Sequence, residues 1–148
     1  MIDNALLART EQELEAEGMA LARTLAPGSI VFLEGDLGAG KTTMCRGILR
    51  GFGYMGVVPS PTYTFVELYE LSGQRLVHFD LYRLTSPDEI ETLGFRDYLD
   101  GKAICLIEWP ERSFGVLPSP TIRITLEYQD LARSIQIEKN IAPSCHFR

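Results

Sequence analysis

The sequence has little cysteine and no C-x-x-C pair: Cys45, Cys105 and Cys145 are its three, far apart along 148 residues. An odd, dispersed set argues against a disulfide framework or a thiolate metal site and reads as free buried thiols in a reducing compartment. No apolar run approaches the ~20 residues that a membrane helix needs. Met1 to Ala5 likewise carry no basic segment leading into an apolar one. A cytoplasmic location with no membrane partner is expected. Basic charge is also short, with 14 Lys and Arg against 20 Asp and Glu and a net charge of −6. The broad basic footprint of an independent nucleic-acid binder is missing, so DNA is not an expected partner and RNA is expected only by way of a complex. Repeats, low-complexity tracts and Pro/Gly/Ser linkers are absent, which predicts a single domain over 1–148 with 139–148 as a loose tail. A chain of this length buries roughly 70% of its unfolded surface and holds a core without disulfides or a structural metal.

What is present alternates between helix and strand signals. Thr10 and Glu13 form a capping box ahead of Leu14, Ala20, Leu21 and Leu25 at helical spacing, and Pro27-Gly28 stops that helix. Ile30 to Leu33 is a short apolar run suited to a buried strand. A helix beginning at Lys41 places Met44, Cys45, Ile48, Leu49 and Phe52 on one face. Thr64 to Glu70 and Arg75 to Asp80 alternate in polarity around Ser72-Gly73-Gln74 and predict an antiparallel hairpin. Ser86, Pro87 and Glu89 start another helix, expected to end near Gly101. Ala103 to Ile107 is a second buried strand, and the alternation at Ile122, Ile124, Leu126 and Tyr128, then Ile135 and Ile137, predicts a terminal hairpin. The fold class is therefore α/β, with a mixed sheet, helices on both faces and an antiparallel hairpin after the second helix.

Gly35-Asp36-Leu37-Gly38-Ala39-Gly40-Lys41-Thr42 satisfies G-x-x-x-x-G-K-[ST] at every specified position, between a predicted strand and a predicted helix. That makes the architecture a P-loop NTPase. Glycines let successive N–H groups turn toward phosphate, the helix N-terminus adds partial positive charge, Lys41 reaches the β/γ oxygens and the Thr42 hydroxyl ligates Mg²⁺. Gly51 to Gly56 also matches G-x-G-x-x-G, but it ends a helix and enters a Pro-containing loop, so its glycines read as helix terminators.

Two strands end in a carboxylate, at Asp80 and at Glu108, and either acid fits the metal-side position. Strand ends of an open α/β sheet gather ligands, so one acid can hold Mg²⁺ while the other orients the attacking water. Glu108, Asp80 and Lys41 are thus the candidate catalytic residues, and Thr42, Glu108 and Asp80 the candidate metal ligands. His78 reads as a packed or hydrogen-bonded sheet histidine. Thr62 or Thr64, between the second helix and the hairpin, is placed as a γ-phosphate sensor in a switch loop. No N-K-x-D stretch selects guanine, which favours ATP.

Four segments carry a resemblance: Gly35 to Thr43, Ser60-Pro61-Thr62-Tyr63-Thr64, His78-Phe79-Asp80-Leu81-Tyr82-Arg83-Leu84 and Ile107-Glu108-Trp109-Pro110. In order and spacing they resemble the bacterial TsaE (YjeE) family, over about Thr10 to Arg133. The resemblance implies a weak ATPase that works with TsaB and TsaD in forming N6-threonylcarbamoyladenosine on tRNA, touching tRNA indirectly through that complex. It implies ATP and Mg²⁺ as cofactors, Thr42 and Glu108 as metal ligands, Asp80 at the nucleotide and metal, and Ser60, Thr62 and Thr64 as the switch loop. Gly35, Asp36, Leu37, Gly38, Ala39, Gly40, Lys41, Thr42 and Thr43 would bind the nucleotide, with Thr10 and Arg133 also at nucleotide-contacting positions. Two other readings share the cradle: a small-molecule kinase, and a non-catalytic docking subunit that ATP stabilises. The chain has no arginine-studded lid insertion such as a kinase uses to exclude water.

Overall fold

A computed structural model describes residues 6–139, so Cys145 and the expected tail beyond Lys139 lie outside the described residues. Seven strands form one mixed sheet: β1 (Leu6–Ala8), β2 (Ile30–Gly35), β3 (Val66–Leu71), β4 (Gln74–Asp80), β5 (Ile104–Glu108), β6 (Ile122–Gln129) and β7 (Ala132–Lys139). Their order is β1-β7-β6-β2-β5-β4-β3. The central strands β6, β2, β5 and β4 run parallel, while β3, β7 and β1 join antiparallel at the two edges. Every residue of β5 is buried, as expected of a strand covered on both faces.

Helices α1 (Glu11–Ala22) and α2 (Lys41–Gly51) cover one face, where Leu14, Met44, Ile48, Leu33, Leu106 and Ile124 share a core. The short helices α3 (Pro87–Thr92) and α4 (Phe95–Tyr98) cover the other, packing Ile90 and Phe95 on Phe79, Cys105 and Ile107. Phe79 meets Phe95 edge-on at 4.7 Å between ring centres. The expected helix start at Thr10 holds, its side chain accepting from the Glu13 N–H at 3.0 Å. The hairpin turn is Ser72-Gly73, both at positive φ (48° and 83°), the two-residue geometry that matches strand twist.

Three expectations are corrected. The helix expected from Ser86 to near Gly101 breaks at Gly94 (φ 72°), which lets Phe95 re-enter the core. The hairpin's first strand begins at Val66 rather than Thr64, because Phe65 sits at φ 68° and donates its N–H to the Pro61 carbonyl. A strand also precedes α1: β1 has three residues and owes its existence to pairing with β7, which local pattern does not reveal.

The α1–α2 contact sets the position of the cradle's helix. A Cβ on Gly47 would stand 2.2 Å from the Glu15 carbonyl oxygen, and one on Gly18 2.5 Å from that of Met44. Arg46 and Arg50 both reach the Glu15 carboxylate, at 3.2 and 3.4 Å, across the same seam. Gly47→Ala should therefore destabilise despite better helix propensity, since the obstacle is backbone. A loss of about 1–2 kcal/mol is expected, read by calorimetry as a Tm fall of roughly 2–4 °C per kcal/mol. An unchanged or higher Tm would mean the two helices are free to separate.

Candidate active site

The loop after β2 turns on glycines at positive φ, Gly38 at 80° and Gly40 at 108°, with Gly40 as the N-cap of α2. Gly40 sits at a φ that L side chains rarely adopt, and a Cβ there would also push against the end of the Leu14 side chain, 2.4 Å away. The loop thus opens a cleft of about 280 Å³ lined by Leu37, Gly38, Gly40, Lys41, Thr42 and Thr43 on one side and by Ser60, Thr62, Asp80, Tyr82, Glu108 and Trp109 on the other. Residues named from separate parts of the sequence are thereby brought together at the carboxyl ends of β2, β4 and β5.

Parallel pairing places Asp80 directly beside Glu108, and both are 2% exposed. The Thr42 hydroxyl donates to Glu108 at 2.9 Å from Oε2 and 3.2 Å from Oε1. Asp80 accepts from the Tyr82 N–H at 2.9 Å and from the Thr62 hydroxyl at 3.0 Å. Ser60 in turn lies 2.8 Å from the Thr62 hydroxyl. Thr64 instead donates to Glu67 at 3.0 Å and does not line the cleft, so of the two threonines it is Thr62 that faces the acids.

Lys41 is 4% exposed and donates to the Gly35 and Asp36 carbonyls at 2.6 and 2.9 Å. Its ammonium lies 4.1 Å from the centre of the Trp109 ring. Burial pulls its pKa down, opposed by Glu108, Glu111, Asp80 and Asp36. Trp109 reaches this position through a left-handed backbone (φ 59°, ψ 49°) immediately after Glu108. Tyr82 leans on Trp109 at 4.8 Å, and Arg112 lies over Tyr82 at 4.6 Å, so two adjacent rings are flanked by a cation at each end, Lys41 on Trp109 and Arg112 on Tyr82. In the sequence Trp109 and Tyr82 stand out only as members of the segments that carry the family resemblance, and Arg112 carries no signal for a place in the cleft wall.

Thr10 and Arg133 lie apart from this cleft, around a smaller hollow of about 140 Å³ that Gly38, Gly40 and Thr43 also border. Arg133 lies 4.1 Å from the centre of the Tyr128 ring. Under α2, ligand atoms of Cys45, His78 and Glu108 stand within 4.8 Å of one another. Burial and the two carboxylates push the Cys45 thiol well up, which keeps it protonated and a poor metal ligand. The oxygen set of Thr42, Asp80 and Glu108 suits a hard divalent cation better.

Burial, reinforced by the Glu108 charge, raises the Asp80 pKa against the pull of its hydrogen bonds from Tyr82 and Thr62. A carboxyl whose folded pKa is raised favours folding at acid pH, and that favour is lost as pH rises through the folded value. Asp80→Asn should consequently raise Tm relative to the parent at pH 7 in EDTA, with the gap closing below the ordinary Asp range. Equal Tm values for the two proteins across that whole range would show that the Asp80 charge is not under strain.

With this geometry in view, the comparisons with known proteins are specific. Residues 8–136 match the family model described as threonylcarbamoyl adenosine biosynthesis protein TsaE. The tRNA threonylcarbamoyladenosine biosynthesis protein TsaE of Haemophilus influenzae is 53% identical over 108 residues, covering 73% of this chain and 68% of that protein. Its namesake in Bacillus subtilis is 38% identical over 116 residues, covering 78% and 72% respectively. The crystal structure of Bacillus subtilis YdiB superposes with a TM-score of 0.76 at 30% identity, covering 94% of this chain and 87% of that one. A mixed α/β sheet carrying the P-loop at its centre, matched in sequence over nearly its whole described length, belongs to the TsaE family.

Proposed function

We propose that this chain is a Mg²⁺-dependent ATPase serving as an accessory subunit in the formation of N6-threonylcarbamoyladenosine on tRNA. The observation that carries the reading is the pairing of a complete G-x-x-x-x-G-K-T loop with two buried acids in one cleft, Glu108 already 2.9 Å from Thr42. The biosynthetic role comes from the names of its relatives, and TsaB and TsaD are the partners that the family resemblance supplies.

Volume and chemistry support a polyphosphate in the main cleft. About 280 Å³ is at the small end for ligand pockets, enough for phosphates and an ion, while the hollow at Thr10 and Arg133 lies across the same glycines for the rest of the nucleotide. The N–H groups at the start of α2 cradle the phosphates, helped by the helix dipole. Lys41 exchanges its two carbonyl acceptors for phosphate oxygens, and Trp109 keeps water from its ammonium. Thr42, Glu108 and Asp80 hold Mg²⁺, which when bound offsets charge on the phosphate oxygens. Asp80, oriented by Tyr82 and Thr62, aligns the attacking water, and Thr62 couples that acid to the loop at Ser60, so the loop's position reports the γ-phosphate.

Binding and turnover are separable. Lys41→Ala removes a charge-assisted contact worth about 1.5–3 kcal/mol, so titration calorimetry should show Mg·ATP bound roughly ten- to a hundred-fold more weakly, with Thr42→Ala also weakened through its metal contact. Wild-type affinity in both variants would sink the cradle assignment.

Glu108→Gln keeps shape but not charge, and hydrolysis should fall ~10²-fold or more while ATP stays bound. Thr62→Ala should reduce partner-stimulated turnover more than ATP affinity. Phosphate release is to be followed with the chain alone, then with TsaB and TsaD, then with tRNA. A rate indifferent to both partners, with complex formation indifferent to ATP, would point instead to a free-standing hydrolase or kinase.

A further inference from the structure

His78 lies on β4 between Leu76 and Asp80, on the face turned toward α2, and its side chain is wholly buried. Packing alone does not explain the residue. Its sheet neighbour on β5 is Leu106, and Leu76 and Ile104 fill the next positions on the same face with aliphatic carbon. An imidazole in this place leaves Nδ1 buried with no hydrogen-bond partner among the described residues, a cost that an apolar residue would avoid. What the ring contributes in return is at the other nitrogen: Nε2 stands 2.7 Å from Glu108 Oε2.

We propose that His78 is a positioning residue for Glu108, and hence for the cation that Glu108 holds; the inference rests on the Mg·ATP reading above. A carboxylate offers only acceptors, so the facing nitrogen is the protonated one, and the orphaned Nδ1, with no acceptor to take a proton's hydrogen bond, is assigned the lone pair, which makes the ring the Nε2–H tautomer. Oε2 of Glu108 then accepts two hydrogens, from His78 below and from the Thr42 hydroxyl on α2. Two donors on different elements fix the plane of the carboxylate before any ligand arrives. Oε1 takes the longer Thr42 contact, 3.2 Å, and, with the Cys45 thiol as a further weak donor to the carboxylate, keeps acceptor capacity for an ion or its water. The Thr42 hydroxyl, with its proton committed to Glu108, turns a lone pair free for the same ion. Outer-shell donors of this kind orient a ligand and tune its affinity without touching the metal.

The test uses the full chain with His78→Met, which keeps bulk and removes the donor, and His78→Gln, whose amide nitrogen reaches about as far as Nε2. Long-range ¹H–¹⁵N correlation of the histidine ring in nucleotide-free protein should show the Nε2–H tautomer; the Nδ1–H tautomer would overturn the proposal. Mn²⁺ binding to the ADP complex, followed by electron paramagnetic resonance, should weaken ~10-fold or more in His78→Met. ADP affinity in EDTA should change less than about twofold in the same variant, since no outer-shell donor acts on the phosphates themselves. His78→Gln should restore most of the Mn²⁺ affinity. Full Mn²⁺ affinity in His78→Met, or His78→Gln as weak as His78→Met, refutes the inference alone. A wild-type chain that holds no Mn²⁺ beside ADP refutes the nucleotide reading and this inference with it.

Discussion

Two carboxylates lie side by side, both out of water, at the ends of neighbouring parallel strands, and the site is organised around making that tolerable. Coulomb repulsion between Asp80 and Glu108 is not relieved by a salt bridge of the ordinary kind. Lys41, the nearby buried cation, is attracted to both acids but directs its hydrogen bonds to the carbonyls of Gly35 and Asp36, with its ammonium against the Trp109 ring. The acids are instead held by hydrogen-bond donors: Thr42, His78 and the Cys45 thiol on Glu108, Thr62 and the Tyr82 N–H on Asp80. Such donors fix geometry but leave negative charge in place, which is the condition for taking up a divalent cation.

The surrounding fold serves that arrangement at several removes. Strand pairing makes the two acids neighbours, and β2, lying next to β5, brings the phosphate loop over them. The left-handed turn at Trp109 lays the indole across Lys41, and Tyr82 with Arg112 extends that wall. Close approach of α1 to α2 through Gly18 and Gly47 anchors the helix whose first turn carries Lys41 and Thr42. A displacement of α2 along that seam would move Thr42 away from Glu108 without altering any residue in the cleft.

Much of this was legible in one dimension because it rests on local rules. Strands β2 and β5 are apolar over Ile30 to Leu33 and Ile104 to Ile107, the N-cap at Thr10 and the Ser72-Gly73 turn have direct sequence signatures, and the P-loop pattern requires its glycines for backbone reasons alone. Less legible were features that depend on a distant partner. β1 exists through pairing with β7, and the break at Gly94 is useful because Phe95 finds Phe79 on the sheet.

The site divides along the same line. By itself the sequence determined that a phosphate loop stands between a strand and a helix and that two strands end in acids, since residue type and spacing suffice for both. Only the tertiary structure decided that those acids are adjacent, that Thr62 rather than Thr64 meets Asp80, and that His78 serves Glu108. The first and last depend on register between β4 and β5, whose paired residues Asp80 and Glu108 lie 28 apart in sequence, and the second on the turn of the loop at Phe65 just before β3. Register is settled by the packing of both faces of the sheet together, a condition that no single segment of the chain contains.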